Sequence, residues 1–227
     1  MEMQYGEQLP SFEGVLTGLV NNDAITPTYT TNADGTNVGS FEIKATLIDP
    51  DLKLRNYDLV NQSSILTIRK AALTATADNI TIPYGSTIPQ LEGQVVGVAF
   101  DDGIFATYTT TATSTSEVGT YPIEVSLNDP NSKIANYKVT LKKGTITIEK
   151  ADQAVLSEKL ENRTYGDAAF ELKATSTSGL GMIYTSSNET VATISGNMVT
   201  LLGAGTTVIT THQEGNINYH ERTITDT

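Results

Sequence analysis

Residues 38–47 read Val38-Gly39-Ser40-Phe41-Glu42-Ile43-Lys44-Ala45-Thr46-Leu47, and they return at 118–127 as Val118-Gly119-Thr120-Tyr121-Pro122-Ile123-Glu124-Val125-Ser126-Leu127. In both stretches apolar and polar residues alternate after the glycine. Period-two alternation puts one set of side chains on each face of a β-strand. The pattern therefore decides two things together: the chain is built from strands, and it is built from repeats.

Working outward, the register holds across whole domains. Tyr5-Gly6 returns as Tyr84-Gly85 and again as Tyr165-Gly166, at spacings of 84 − 5 = 79 and 165 − 84 = 81. Leu9-Pro10 answers Ile88-Pro89, Glu13-Gly14 answers Glu92-Gly93, Gly18 answers Gly97, and Tyr29-Thr30-Thr31 answers Tyr108-Thr109-Thr110. One residue is gained between Thr31 and Val38, in a polar stretch where a surface loop absorbs an insertion at little cost. Beyond it the spacing is 80: Asp49-Pro50 answers Asp129-Pro130, Asn56-Tyr57 answers Asn136-Tyr137, and Lys70-Ala71 answers Lys150-Ala151. A repeat of about eighty residues is the length of a small domain. The expected division is into three modules, 1–70, 71–150 and 151–227.

The strand signals continue. Ile65–Ile68 and Thr145–Ile148 read as the closing strand of each of the first two modules, and Tyr137–Leu141 as a strand turning into that closing strand. Thr107–Thr113 is Thr-rich and extended. Pro122 occupies an outward position, which suits an edge strand or a place without a ladder hydrogen bond. In the third module Val191–Thr200 has a hairpin pattern around Gly196-Asn197, and Asn218-Tyr219 echoes the earlier Asn-Tyr pairs. Ala154–Glu161 has apolar positions that fit one helical turn or a strand; analogy with Leu73–Ala77 favours strand. The fold class expected is all-β: three tandem small β-sandwich (Ig-like) modules in an elongated array. A β-grasp-like arrangement, with a short helix near Glu13–Asn22, is the alternative for modules 1 and 2. No Gly/Ser- or Pro-rich linker separates the modules, so semi-rigid junctions are expected.

Composition excludes several classes of function. The net charge is −12, spread as 5 − 9 = −4, 5 − 8 = −3 and 4 − 9 = −5 over the three modules. Such a surface repels nucleic acid and anionic membranes. With no Cys, disulfides, thiol catalysis and Cys-ligated metals are excluded. With no Trp either, an antibody-type Ig core is excluded. No apolar run is long enough to span a membrane as a helix, and Met1-Glu2-Met3-Gln4 has no signal-peptide pattern. Ala72–Ala77 precedes Tyr84, whereas four residues precede Tyr5. Module 1 thus lacks the opening strand of module 2, and the expectation is that the parent protein extends upstream and carries any signal peptide there.

The remaining candidates for chemistry are few. His212 and His220 have no nucleophile pattern beside them, and no H-E-x-x-H, P-loop or G-x-G-x-x-G occurs. Asp49-Pro50-Asp51, Asp101-Asp102 and Asp129-Pro130-Asn131 gather oxygens of the kind calcium takes, but Asp also forms turns, and none has the EF-hand spacing. A Lys–Asn or Lys–Asp isopeptide crosslink has no motif in its favour. The sequons at Asn61, Asn79, Asn162 and Asn188 are expected by chance in so Thr-rich a chain. The special positions are the Asn-Tyr pairs: a buried Tyr at a β-sandwich corner can bond its hydroxyl to backbone, and the Asn beside it can take a left-handed turn. In the Tyr-Gly pairs, Gly permits a bend and Tyr packs beside it.

Residues 5–150 resemble the MBG domains of bacterial surface proteins, of the Tyr-Gly type. The carriers are Tyr-Gly, a Pro four residues after the Gly, Val-Gly-(Ser/Thr)-(Phe/Tyr), Asn-Tyr and the closing (Leu/Ile)-Thr-Ile-x-Lys-Ala. The third module resembles the bacterial Ig-like group 2 domains of adhesins, through Ser186–Ile194, Gly196, Val199 and Gly203-Ala204-Gly205-Thr206. The resemblance implies a non-enzymatic stalk or adhesion segment of a larger surface or secreted protein, extracellular, with no catalytic motif to carry over. Two alternatives stand beside it: a module binding glycan or protein, and an accessory spacer of an extracellular enzyme. The reading assigns no catalytic, cofactor-binding or metal residue and no cofactor. Its partner is unknown, with host or cell-surface protein or glycan as candidates, without nucleic acid or membrane insertion, and the chain is expected to be a monomer.

Overall fold

The computed structural model describes residues 1–227. The chain is all-β, with only two 3-10 turns, Leu54–Asn56 and Ile134–Asn136. In the first repeat the strands are β1 (Glu2–Gln4), β2 (Thr26–Thr31), β3 (Gly39–Ile48) and β4 (Ser64–Arg69). The second repeat has β5 (Ala71–Ala77), β6 (Ile80–Pro83), β7 (Gly93–Val96), β8 (Phe105–Thr110), β9 (Gly119–Asn128), β10 (Tyr137–Lys142) and β11 (Gly144–Glu149). The remainder has β12 (Val155–Ser157), β13 (Phe170–Glu171), β14 (Ala174–Ser176), β15 (Ile183–Ser186), β16 (Ala192–Ser195), β17 (Met198–Leu201), β18 (Ile209–Gln213) and β19 (Arg222–Asp226). The sheet of the first repeat has the order β1-β4-β3-β2, and its counterpart in the second has the order β6-β11-β9-β8. β9 is thus an interior strand, and Pro122 is not on an edge. Its carbonyl instead accepts the Thr110 hydroxyl at 2.8 Å, as the Glu42 carbonyl accepts that of Thr31 at 2.9 Å.

The fold divides into two compact units. The first comprises Met1–Asp78, Leu91–Thr109 and Glu124–Gly144. In it, β3 runs antiparallel to β2 and β4, with Tyr29 opposite Ala45 and Phe41 opposite Leu66, and β1 lies parallel to β4 with Met3 opposite Ile68. The alternation of the sequence turns Ile43, Leu66 and Ile68 inward. A second sheet has the order β10-β5-β7. β5 is its centre, parallel to β10 and antiparallel to β7. Its Ala71, Leu73, Ala75 and Ala77 are all buried, Leu73 and Ala75 completely. Met3, Tyr5, Ile43, Leu66, Ile68, Leu73, Ile104 and Tyr137 form one core.

The first repeat has no such second sheet. Residues 14–17 and 57–62, which correspond to β7 and β10, are not in strands. In the second repeat the corresponding segments are strands through their pairing with β5. The helix proposed for Glu13–Asn22 does not form. Gly18 has φ +86°, and Asn21 and Asn22 have φ of +55° and +52°, a left-handed backbone that no right-handed helix accommodates.

The second unit comprises Asn79–Gln90, Thr110–Ile123 and Thr145–Thr227. There β6 lies parallel to β11, with Ile80 opposite Ile146. The expected hairpin is β16–β17, its turn made by Gly196 at φ +62°. β13-β17-β16 and β15-β18-β19 form two three-stranded sheets around Leu172, Ala192, Val199 and Ile209. Within Ala154–Glu161 a short strand forms, β12, but the analogy with β5 does not extend to its pairing. β12 is antiparallel to β14, and Leu156 at its centre is 63% exposed where Leu73 is fully buried.

Candidate functional site

The repeated residues converge on the junctions between repeats. In the first unit, Tyr5 of the first repeat meets Asn136-Tyr137 of the second. The Tyr5 and Tyr137 rings stack edge to face at 5.3 Å. Both hydroxyls donate to one carboxylate oxygen, Asp102 Oδ2, at 2.9 Å from Tyr5 and 2.6 Å from Tyr137. The Ala99 N–H donates to the Tyr137 hydroxyl oxygen at 2.8 Å. Asn136 Oδ1 accepts the Val38 N–H at 3.1 Å, so the Val-Gly corner of one repeat is held by the Asn of the next. Gly6, at φ +97°, allows the close fit: a Cβ there would lie 2.8 Å from that of Ala99.

Asp102 is 5% exposed, and its described partners are phenols rather than a cation. A buried carboxylate needs such donors to offset lost hydration. Burial, and then the bond to Asp102, hold both phenols well above the usual tyrosine pKa. The turn that delivers Asp102 has Phe100 and Asp101 at φ +51° and +54°, the positions at which the first repeat has Asn21 and Asn22.

The second unit repeats the ring stacking and the Asn–Val contact, between Tyr84, Val118 and Asn218-Tyr219. Tyr84 and Tyr219 stack at 5.3 Å, and Asn218 Oδ1 accepts the Val118 N–H at 3.1 Å. Ala151 forms a parallel bridge with Tyr219, as Ala71 does with Tyr137. Sequence reasoning gave the Asn a left-handed turn. Neither Asn136 nor Asn218 is at positive φ; each instead contributes its side-chain oxygen to a Val N–H in the preceding repeat. The tyrosine corner is as expected, but its acid was missed. The signal was in the register: Asp23 and Asp102 are 79 apart, and Tyr57 donates to Asp23 Oδ2 at 2.7 Å just as Tyr137 does to Asp102.

The other singled-out residues have local roles. Asp49 accepts the N–H groups of Lys53 and Leu54 at 2.9 and 2.7 Å, and Asp129 those of Lys133 and Ile134 at 2.8 Å each. These bonds, first of all that from Leu54, hold the Asp49 carboxyl below its ordinary range. No three His, Cys, Asp or Glu side chains come together as a metal cluster. His212 Nδ1 lies 2.7 Å from the Thr223 hydroxyl, and His220 is engaged through its backbone. A groove of about 550 Å³, lined by Leu156, Glu171, Lys173 and Tyr184 among others, has one aromatic ring on its wall. No helix is long and apolar enough to cross a membrane.

A β-fold whose recurring residues hold one repeat to the next defines the class: a tandem-repeat β-protein. More narrowly, the chain matches the family model for the MBG domain (YGX type) twice, over residues 1–67 and 73–147. These matches span 67 + 75 = 142 of 227 residues and include Tyr5-Gly6 and Tyr84-Gly85. The chain belongs to the MBG domain (YGX type) family. Domains of this family are typical of bacterial surface proteins and are non-catalytic. No curated protein matches the chain.

Proposed function

We propose that the chain is a structural stalk or adhesion segment of a larger bacterial surface or secreted protein, working outside the cell and without catalysis. Its three modules are 1–70, 71–150 and 151–227, the last an Ig-like module of the group 2 type. The observation that supports this reading is that one clamp is built at both junctions. Asn136 and Asn218 each accept a Val N–H from the preceding repeat at 3.1 Å. The tyrosines beside them stack on the preceding Tyr-Gly at 5.3 Å. Side chains that fix one module on the next serve spacing and load-bearing, since a hinge-free junction transmits position along a chain.

The test places the chain between a membrane anchor and a reporter ligand on a bacterial surface. Removing residues 71–150 is expected to lower access of a bulky probe to the reporter, and replacing them with residues of the first repeat to restore it. Saturable capture of a glycan or host protein by the immobilised chain, lost on changing residues that differ between the repeats, would overturn the stalk reading.

A further inference from the structure

Residue 153 stands where the eighty-residue register has Leu73. Lys70-Ala71-Ala72-Leu73 answers Lys150-Ala151-Asp152-Gln153, and both stretches begin in the same way. Ala71 pairs in parallel with Tyr137, and Ala151 with Tyr219. From there β5 continues, with Leu73 opposite Val139 and completely buried. Beyond Ala151 the parallel pairing stops after one bridge. The Ala151 N–H donates to the Asn218 carbonyl at 2.9 Å, and the Ala151 carbonyl accepts the His220 N–H at 3.0 Å. The next bond of such a ladder would run from the backbone N–H of residue 153 to the His220 carbonyl. That carbonyl is met instead by the Gln153 side chain, whose Nε2 donates to it at 2.6 Å.

The Gln153 carboxamide is buried, and every polar atom of it is bonded. Its Nε2 also donates to Gln213 Oε1, and its oxygen accepts the Ser178 hydroxyl. Gln213 Oε1 accepts in addition the Gly215 N–H at 2.6 Å. Backbone groups therefore fix both amides. A carbonyl only accepts and an N–H only donates, so neither side chain can turn over without losing a bond. Gln213 ends β18 opposite Arg222 at the start of β19. It stands at the base of loop 214–221, which carries Asn218-Tyr219. On the other side, the Ala154 N–H donates to Thr177 Oγ1 and the Ala154 carbonyl accepts the Thr177 N–H, both at 3.0 Å. That pairing leads into β12 and β14. Gln153 thus occupies the point where the chain leaves the Asn-Tyr loop and enters new strands.

We propose that Gln153 is the positioning residue of the second junction. Its side chain ends the parallel ladder that Leu73 continues, and its N–H groups tie loop 214–221 to the chain between Ala151 and β12. Asn218 Oδ1 is thereby aimed at the Val118 N–H. A side chain that fills the same space without these donors and this acceptor does not aim it. At the first junction the continuous pairing of β10 with β5 holds Asn136-Tyr137 in place. At the second, one carboxamide does that work for Asn218-Tyr219. This deepens the clamp on which the stalk reading rests, and the exchange of a single amide decides it whether or not the chain spaces a reporter.

The experiment follows amide exchange in the full chain labelled with nitrogen-15, at Val118 and, as an internal control, at Val38. Gln153→Met keeps the length of the side chain and donates nothing. It is expected to raise exchange at Val118 by about tenfold or more, toward the rate in Asn218→Ala, and to leave Val38 unchanged. In Gln153→Met/Gln213→Met both facing side chains are apolar, so part of the Tm lost in the single variant is expected to return while Val118 stays fast. Ser178→Ala removes only the bond to Gln153 Oε1. It is the milder change, expected to raise Val118 exchange by about threefold, and it carries the test should the Met variants not fold. Unchanged exchange at Val118 in Gln153→Met or in Ser178→Ala would overturn the proposal, as would an equal rise at Val38. Recovery of Val118 protection together with Tm in the double variant would also overturn it, since Gln153 would then only fill space.

Discussion

The two MBG repeats differ most where their sequences agree most. Asn56-Tyr57 and Asn136-Tyr137 are the same dipeptide on the same 3-10 turn, and each Tyr donates to an Asp at the same register position. Yet Tyr137 is 2% exposed and Asn136 is 4% exposed, whereas Asn56 lies in the open and Tyr57 is only half-buried. A residue's contribution is set by what arrives to cover it. In the second repeat a preceding repeat brings Tyr5 and Val38, and β5 fills the neighbouring sheet.

Paired substitutions sharpen that contrast. The largest effect is expected at β5: Leu73→Ala empties a fully buried site and should cost about 2–5 kcal/mol. Leu59→Ala, at an exposed position of the first repeat, should stay within about 0.5 kcal/mol. Urea denaturation followed by tyrosine fluorescence reads both, and equal losses would break the comparison. Next comes the shared acid. Asp102→Ala leaves two buried phenols without their acceptor and should cost about 2–4 kcal/mol, while Asp23→Ala, which strands one half-buried phenol, should cost about 1 kcal/mol.

A smaller difference is expected at the asparagines. Asn136→Ala removes the acceptor of the Val38 N–H and should cost about 1 kcal/mol. Asn56→Ala should change stability by less than about 0.5 kcal/mol. Amide exchange at Val38 gives an independent readout, rising in Asn136→Ala and unmoved in Asn56→Ala.

The last effect appears only at alkaline pH. Because Tyr5 and Tyr137 hold their protons more tightly in the folded chain than at the ordinary value of 10.0, the unfolded chain releases protons first as pH rises. The stability they contribute is complete below pH 10 and is lost progressively above it. Tyr137→Phe should flatten the alkaline fall in Tm, and an unchanged slope above pH 10 would count against the buried-phenol account.

Much of this was legible in the residues. Period-two alternation located β3, β9, β4 and β11, because a half-buried strand must alternate and the repeat shows it twice. Gly196-Asn197 marked its hairpin through the left-handed preference of Gly. The place of β5 between β7 and β10 was not legible, since a strand's ladder partners lie far from it in sequence. The Asp23/Asp102 acceptor was passed over because a turn-forming Asp and a buried hydrogen-bonded Asp look alike in sequence. The difference between β12 and β5 escaped for a related reason, as short apolar runs do not state the direction of their partner.

The sequence alone determined the strand content, the eighty-residue period and the residues that recur, because alternation, turn chemistry and register are local or directly repeated. The tertiary structure decided what the recurring residues do. Whether an Asn oxygen meets a Val N–H, whether two phenols share one carboxylate, and whether a glycine faces a backbone or open space depend on residues 17 to 100 positions apart. Identical dipeptides acquire different burial and different energies from what packs against them, and nothing within the dipeptide encodes that neighbour.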